Sequence, residues 1–565
     1  MDPEKDIERA ATSHRPFEQV EEPQIVDDED DDRSSRSVAR QRTNASSTNS
    51  ALAPPLRLAR SQSSARSQRS YHLQDGYTFH QNEDETAHST KEAERSPSGD
   101  KDFEVRFDGD DDPYSPKNLP TWRKWVIVVI VSASSLCVTC ASAMYTSTYR
   151  QLEVEFHVSR LGATVGLTTF VCGLGLGPMF LSPLSEFYGR RIIYICAFGM
   201  YLIWLIPCAV APNIATMLVA RFLDGLAGSA FLSVAGGTVG DMFRKDQLSA
   251  PMMIYTASPF VGPEVGPVVG GFINQFADWR WTFYVLIIWA ALQWILIVIF
   301  VPETYAPVLL RRKAQKLRKD TGDQRWKAPI EIMNRSVLQT VLWSCIRPFQ
   351  LLFFEQMCLN LCLLSAILLG ILYLFFGAFA VVFQNNHNFN QWQTGLTFLG
   401  IFVGMITGVS CDPLWRKRYI RLVEQNGGVS EPEFRLPPTI LGAVIVPLSL
   451  FGFGWTTYSH VHWIVPIMFS AFFGLGNIFC FSGIFTFLVE TYPLYAASAL
   501  AANSFARSSF AAGFPLFGVQ MYEKLGYQWA SSLLAFIALA MTPFPFLFFK
   551  IGKRLRANSK FANPG

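Results

Sequence analysis

Residues 257–273 read ASPFVGPEVGPVVGGFI. One carboxylate, Glu264, stands there among prolines and glycines in an otherwise apolar run. A charged side chain at the centre of a bilayer costs about 2.5–3.5 kcal/mol on insertion scales, so a chain that keeps one there supplies a partner, a wet cavity or a task. Whether this stretch crosses a membrane therefore decides the fold. At about 100° per residue, Gly262, Gly266 and Gly270 fall on one stripe of a helix and Glu264 points nearly opposite. The glycine stripe can meet a second helix closely. Lipid is a poor home for the carboxylate, so Glu264 is expected to look into a polar cavity. Pro259, Pro263 and Pro267 remove backbone donors and should bend or loosen the helix. Gly262, Pro263, Gly266, Pro267, Gly270 and Gly271 are the expected hinge.

The rest of the chain places this stretch in a membrane. Of 565 residues, 50% are hydrophobic and only 16% charged, too apolar for a soluble protein of this length. Windows of about 20 apolar residues, enough to cross a hydrocarbon core of roughly 30 Å, occur twelve times. They fall near 124–146, 160–182, 192–211, 214–239, 250–273 and 281–301, then near 351–383, 391–411, 438–457, 463–489, 496–519 and 529–549. The expected fold is an all-α membrane protein of two pseudo-symmetric six-helix bundles, 123–301 and 348–549, joined by a basic linker, 302–347.

Arg190/Arg191, Arg244/Lys245, the run RRKAQKLRK (311–319), Arg416 to Arg418 and Lys550 to Arg556 all fall on one side of that topology. By the positive-inside rule this side is the cytoplasm, and both termini lie there. The tail 1–122, with DDEDDD (27–32) and RSQSSARSQRS (60–70), is expected to be disordered, because it has too little apolar surface to offset chain entropy. Residues 550–565 form a short cytoplasmic tail. Cysteines sit mostly inside apolar spans and read as small packing residues; histidines fall in the tail or in outer loops. Neither pattern calls for a metal or another cofactor. Nothing suggests an enzyme: GxxxxGK[ST] and HExxH are absent, and no Ser/His or Cys/His arrangement lies in the membrane.

An internal repeat supports a carrier. SPLSEFYGRR (182–191) aligns with GVSCDPLWRK (408–417), setting Glu186 opposite Asp412 and Arg190 opposite Arg416. VGDMF (239–243) aligns with VETYP (489–493), matching Asp241 with Glu490. These charges end helices beside basic loops, where ion pairs can lock one conformer.

Four charges lie within the spans: Arg221, Asp224, Glu264 and Arg507. Arg221 and Asp224 share a helical face and can pair locally, either as a neutralised helix contact or in proton handling. Arg507, one turn after Asn503, either joins a structural ion pair or holds an anionic group. Tyr373, Phe375 and Phe376, with Phe479, Phe481 and Phe485 beside Asn477, supply aromatic surface suited to flat or cationic ligands. The expected proton-coupling set is Glu264, Asp224 and Arg221; the expected substrate cavity is Asn477, Phe481, Tyr373, Asn503 and Arg507.

Through these segments the chain resembles the major facilitator superfamily, in particular its fungal twelve-spanner drug:proton antiporters, over about 112–549. SPLSEFYGRR resembles the loop signature that acts as a cytoplasmic latch, here Glu186, Gly189, Arg190 and Arg191, with Asp241, Asp412, Arg416 and Glu490 completing the set. ARFLDGLAGSA (220–230) resembles the fourth-helix motif whose Arg, here Arg221, is assigned to proton transfer. GPEVGPVVGG (262–271) resembles the fifth-helix motif that separates exporters from importers; DPYSPKNLPTWRKW (112–125) and PETYAPVLLRRKAQKLR (302–318) are similar to the segments flanking the first bundle. A carboxylate carried by some polyamine-exporting relatives is Gly377 here. The resemblance implies proton-coupled export of small hydrophobic or amphipathic compounds through a cavity lined by spans one, four, seven and ten; it favours the plasma membrane, with a vacuolar membrane left open, and a monomer is expected. Its partners would be substrate, protons and lipid, with no nucleic acid. A polyamine or nutrient carrier and a non-transporting sensor are the alternatives.

Overall fold

The structure, a computed structural model, describes residues 103–108, 112–244, 247–332, 337–557, 559 and 561–562. Most of the expected disordered tail, 1–102, lies outside them. The first bundle consists of α1 (Thr121–Met144), α2 (Arg160–Tyr188), α3 (Arg190–Ala209), α4 (Ile214–Met242), α5 (Ser249–Phe276) and α6 (Arg280–Phe300). The second consists of α7 (Gln356–His387), α8 (Gln391–Gln425), α9 (Pro437–Trp455), α10 (Ile464–Thr491), α11 (Ala496–Leu525) and α12 (Tyr527–Ala557); α4, α8 and α12 carry short interruptions. Among the described residues, ten of these helices are apolar and long enough to cross a membrane. α5 and α11, of 28 and 30 residues, have the length, their apolarity diluted by Pro and Gly in one and by Ser, Asn and Arg in the other.

Loop residues start several helices with side-chain caps. Ser159 accepts from Gly162 N, Asn213 accepts from Thr216 N, and Asn390 with Gln393 forms a capping box at α8. Inside the membrane, close backbone approach organises the bundles, and it does so twice. On α2 and α4, a methyl on Gly173 would strike the carbonyl of Phe222, and one on Gly225 the carbonyl of Phe170. The repeat partners α8 and α10 cross in the same reciprocal way, Gly404 on the carbonyl of Ala471 and Gly474 on that of Ile401. α5 lays Gly262, Gly266 and Gly270 against Thr139, Ala143 and Met144 of α1, as its stripe predicts. Among those ten helices α1 and α7 are the most enclosed, with 78% of their apolar windows buried, whereas α6 has 28% and faces outward. The interior of the molecule is therefore built around α1 and α7, and exposed Ile288, Ile299 and Leu448 belong to the lipid-facing belt.

Two segments differ from expectation. The seventh span, expected from 351, begins at Gln356, because Glu355 leaves the helical region at φ −111°, ψ 103°. Its buried carboxylate accepts hydrogen bonds from the Tyr492 hydroxyl at 3.2 Å and the Ser559 hydroxyl at 2.7 Å. A separate helix, Val337–Phe354, precedes the break and leans on α2 and α11, with Phe349 set edge-on to Phe505 at 5.0 Å.

The second difference lies ahead of α1. Val105 N donates to Lys327 O, and Lys327 N donates to Phe103 O, each at 3.0 Å. Val105 then packs with Leu310, Ala314 and Ala328 in a small cluster on the linker helix Ala306–Thr321. Lys313 Nζ reaches Asp108 at 2.8 Å and Asp112 at 2.6 Å. Burial works against the Asp112 charge, but bonds from Lys313 and from the N–H groups of Asp108 and Tyr114 outweigh it and hold the carboxyl below its usual range. The segment before α1 is thus clasped to the linker between the bundles.

Candidate functional site

Glu264 is fully buried in α5, and neither carboxylate oxygen meets a donor from another residue. The expected polar cavity is not where Glu264 looks in this conformer: the side chain is fully buried, and α5 packs on α1 and α8. α5 runs unbroken through its three prolines. The Tyr255 carbonyl, which Pro259 leaves without its helical donor, accepts instead from Ser258 Oγ at 2.8 Å. A methyl on Gly271 would meet the Gln391 carbonyl at 3.0 Å, so the hinge glycines also fit α5 against α8.

Arg221 and Asp224 are both sealed from solvent and pair locally, Nη1 to Oδ2 at 3.7 Å. The guanidinium lies 4.2 Å from the Phe170 ring centre and 4.6 Å from that of Tyr145, and donates to the Ala141 carbonyl at 3.2 Å. Both Asp224 oxygens lack hydrogen-bond donors, so the pair is an ion contact and not a satisfied fork.

Three of the expected cavity residues, Tyr373, Phe481 and Arg507, touch both halves. Tyr373 on α7 shares a hydrogen bond with Ser142 on α1 at 3.0 Å. Phe481 on α10 stacks on Phe260 of α5 with ring centres 4.6 Å apart. Asn503 donates to Ser365 at 2.6 Å, linking α11 to α7, while both polar atoms of the buried Asn477 lack partners. Arg507 stands over Phe260, Phe481 and Phe485 and joins no ion pair with a described residue, against the ion-pair expectation. Phe375 and Phe479 pack within the second bundle, on Phe473 and Trp415. At the end of the bundles away from the basic loops, a cavity of about 930 Å³ opens between α5, α7, α8 and the segment 146–155 that follows α1, lined by Arg150, Gln275, Phe376, Gln384 and Gln391. Gln391 N donates across its wall to Gln275 Oε1 at 3.2 Å.

The residues expected to form a latch come together in one half only. Arg190 Nε lies 3.5 Å from Asp241, Arg190 Nη1 donates to Ser185 at 2.6 Å, and the guanidinium covers Tyr305 at 4.8 Å. Glu186 contributes to the electrostatic surroundings of Arg190. Sequence reasoning missed the centre of this knot, Glu303. Its carboxylate accepts from four backbone N–H groups, those of Arg190 (2.9 Å), Arg191 (3.3 Å), Thr304 (3.1 Å) and Tyr305 (3.0 Å). It thereby caps the N-terminus of α3 from across the bundle. Gly189, at φ +96°, is required there, because a side chain would be strained and would strike that carboxylate. In the second half Glu490 is held by Arg435 at 2.8 Å, not by Arg416, which is exposed with Asp412 partly so.

Glu303→Gln is expected to lower the unfolding free energy by about 1–3 kcal/mol, since the amide loses charge and acceptor capacity at a buried helix end. Thermal unfolding in detergent reads this; an unchanged midpoint would remove Glu303 from the latch.

Comparison with known proteins agrees with this architecture. The profile of the Major Facilitator Superfamily matches residues 131–515. The efflux pump atB of Aspergillus terreus is 55% identical over 473 residues, covering 83% of this chain and 91% of its own. The probable drug/proton antiporter YHK8 of Saccharomyces cerevisiae is 42% identical over 474 residues, covering 83% and 92%. Among solved structures, the partially occluded inward open xylose transporter XylE from E. coli matches with a TM-score of 0.54 at 16% identity, over 75% of this chain and 99% of that one, a likeness of fold. The chain belongs to the major facilitator superfamily, among its fungal drug:proton antiporters and efflux pumps.

Proposed function

We propose that the protein exports small hydrophobic or amphipathic organic compounds in exchange for protons carried by Glu264. The observation that carries this reading is the isolation of Glu264: a fully buried acid at mid-span with no donor and no ion-pair partner among the described residues. A carboxylate cannot hold its charge in such a place without large cost, so it keeps a proton here and gives it up in a conformer that wets it. Arg221 and Asp224 sit on α4 beside the same α1 wall and would relay or balance that proton. Tyr373, Phe481, Asn477, Asn503 and Arg507 would contact substrate as the halves rock apart.

The names borne by the relatives, efflux pump and drug/proton antiporter, support export as the direction. A polyamine carrier is disfavoured at Gly377, where even a methyl would meet Val519 at 2.8 Å and no carboxylate stands. The chain would work as a monomer in the plasma membrane with both ends in the cytoplasm, consistent with its basic inner loops. Expression in a yeast stripped of its own pumps tests this. Resistance to a subset of a compound panel, erased by an uncoupler, is expected; resistance that survives the uncoupler would reject proton coupling.

A further inference from the structure

Three arginines buried among the described residues are matched by acids, and a fourth arginine, Arg507, is not. Arg221 has Asp224, Arg190 has Asp241, and the buried Arg556 has Glu433 at 2.8 Å. Arg507, midway along α11, has no carboxylate partner among the described residues, and its Nε is buried without an acceptor. What surrounds it is aromatic and comes from both halves. Its guanidinium carbon lies 5.4 Å from the ring centre of Phe260 on α5, and 5.7 and 5.3 Å from those of Phe481 and Phe485 on α10. The rings are nearly parallel, 23° between Phe260 and Phe481 and 29° between Phe481 and Phe485.

Ring faces attract a cation but accept no in-plane hydrogen bonds, so the five N–H donors of the guanidinium fork are left for a ligand. That fork matches a carboxylate or sulfonate, and the parallel rings match a flat apolar body. Tyr373, within electrostatic reach of Arg507, adds a hydroxyl on the α1 side. The array is also placed to report conformation, because Phe260 lies one helical turn from Glu264 on α5 and stacks on the opposite half.

We infer that the exported compounds are organic anions: a flat apolar body stacked on Phe260, Phe481 and Phe485, with one acidic group on Arg507. This rests on the export reading, and it narrows that reading to one charge class. An anion leaving while a proton enters moves charge in the same sense twice, so an inside-negative membrane potential would favour both movements.

The test uses the full-length protein in phosphatidylcholine vesicles and three probes sharing one ring system: naphthalene-2-sulfonate, neutral naphthalene-2-sulfonamide and the cationic trimethyl(2-naphthyl)ammonium. Equilibrium binding by intrinsic fluorescence is expected to favour the sulfonate at least ~10-fold over both others, about 1.4 kcal/mol. In Arg507→Gln the preference should fall to about unity, and Arg507→Lys should restore part of it. Equal binding of the three probes by the wild type, or an anion preference that survives Arg507→Gln, would overturn the inference. So would loss of the preference only when phosphatidylglycerol is added, which would assign Arg507 to a lipid headgroup. Transport of the sulfonate under an imposed pH gradient is scored separately. Anion-selective binding without proton-driven transport would sink the export reading and leave the anion site standing.

Discussion

Glu264→Gln is expected to abolish proton-driven export, by ~100-fold or more in compound accumulation assays, while the protein reaches the membrane in normal amount. Glutamine has nearly the same shape and no charge, so it fits the dry site that Glu264 occupies in α5. What it lacks is a proton to release when the site is wetted. A transporter with this substitution should still bind its compound and exchange it for more of the same, because that half-cycle needs no net proton movement. Normal resistance with normal pH dependence would remove Glu264 from coupling. A different failure, loss of cationic compounds with neutral ones retained, would instead make the carboxylate a substrate contact.

Gly225→Val has a comparably large expected effect by a different route. Gly225 faces the carbonyl of Phe170 across the α2–α4 crossing, and Gly173 faces the carbonyl of Phe222 in return. A backbone carbonyl cannot turn aside as a flexible side chain can, so the two helices must separate. Separation would also lift the Phe170 ring off Arg221, now 4.2 Å away, and leave a buried guanidinium with one neighbour fewer. The expected loss exceeds about 3 kcal/mol, enough to prevent assembly of a marginally stable bundle. Size-exclusion profiles of a fluorescent fusion should show aggregated or absent protein. Gly240→Ala, on the same helix with nothing within 4 Å of the added methyl, should give a normal profile. A monodisperse Gly225→Val protein would contradict the close-crossing account.

The features legible in the sequence are those set by short-range periodicity. Apolar window length located the spans, the three-residue spacing predicted the Arg221–Asp224 contact, and the four-residue glycine spacing predicted the face of α5 that meets α1. The repeat was legible as matched charges, and in space it reappears as matched helix crossings, α2 with α4 and α8 with α10. The matched charges themselves do not behave alike. Arg190 closes on Asp241, whereas Glu490 turns to Arg435, which the repeat alignment did not single out.

What escaped the sequence depends on long-range placement. Glu303 lies just beyond α6, and its role appears only once the N-terminus of α3, 113 residues earlier, arrives over it. Arg507 is unremarkable as a residue of α11 until Phe260 and Phe485, from two other helices, stand around it. The break at Glu355 needed Tyr492 and Ser559 to be brought near. The burial of Glu264 belongs to a conformer, and helical phase shows which way a side chain points without showing whether water waits there.

Protons released when an exported compound is added to the purified protein in weakly buffered detergent can be counted directly. About one proton per bound molecule from the wild type, with none from Glu264→Gln, is the expected result. Equal release from both proteins would show that another group carries the proton.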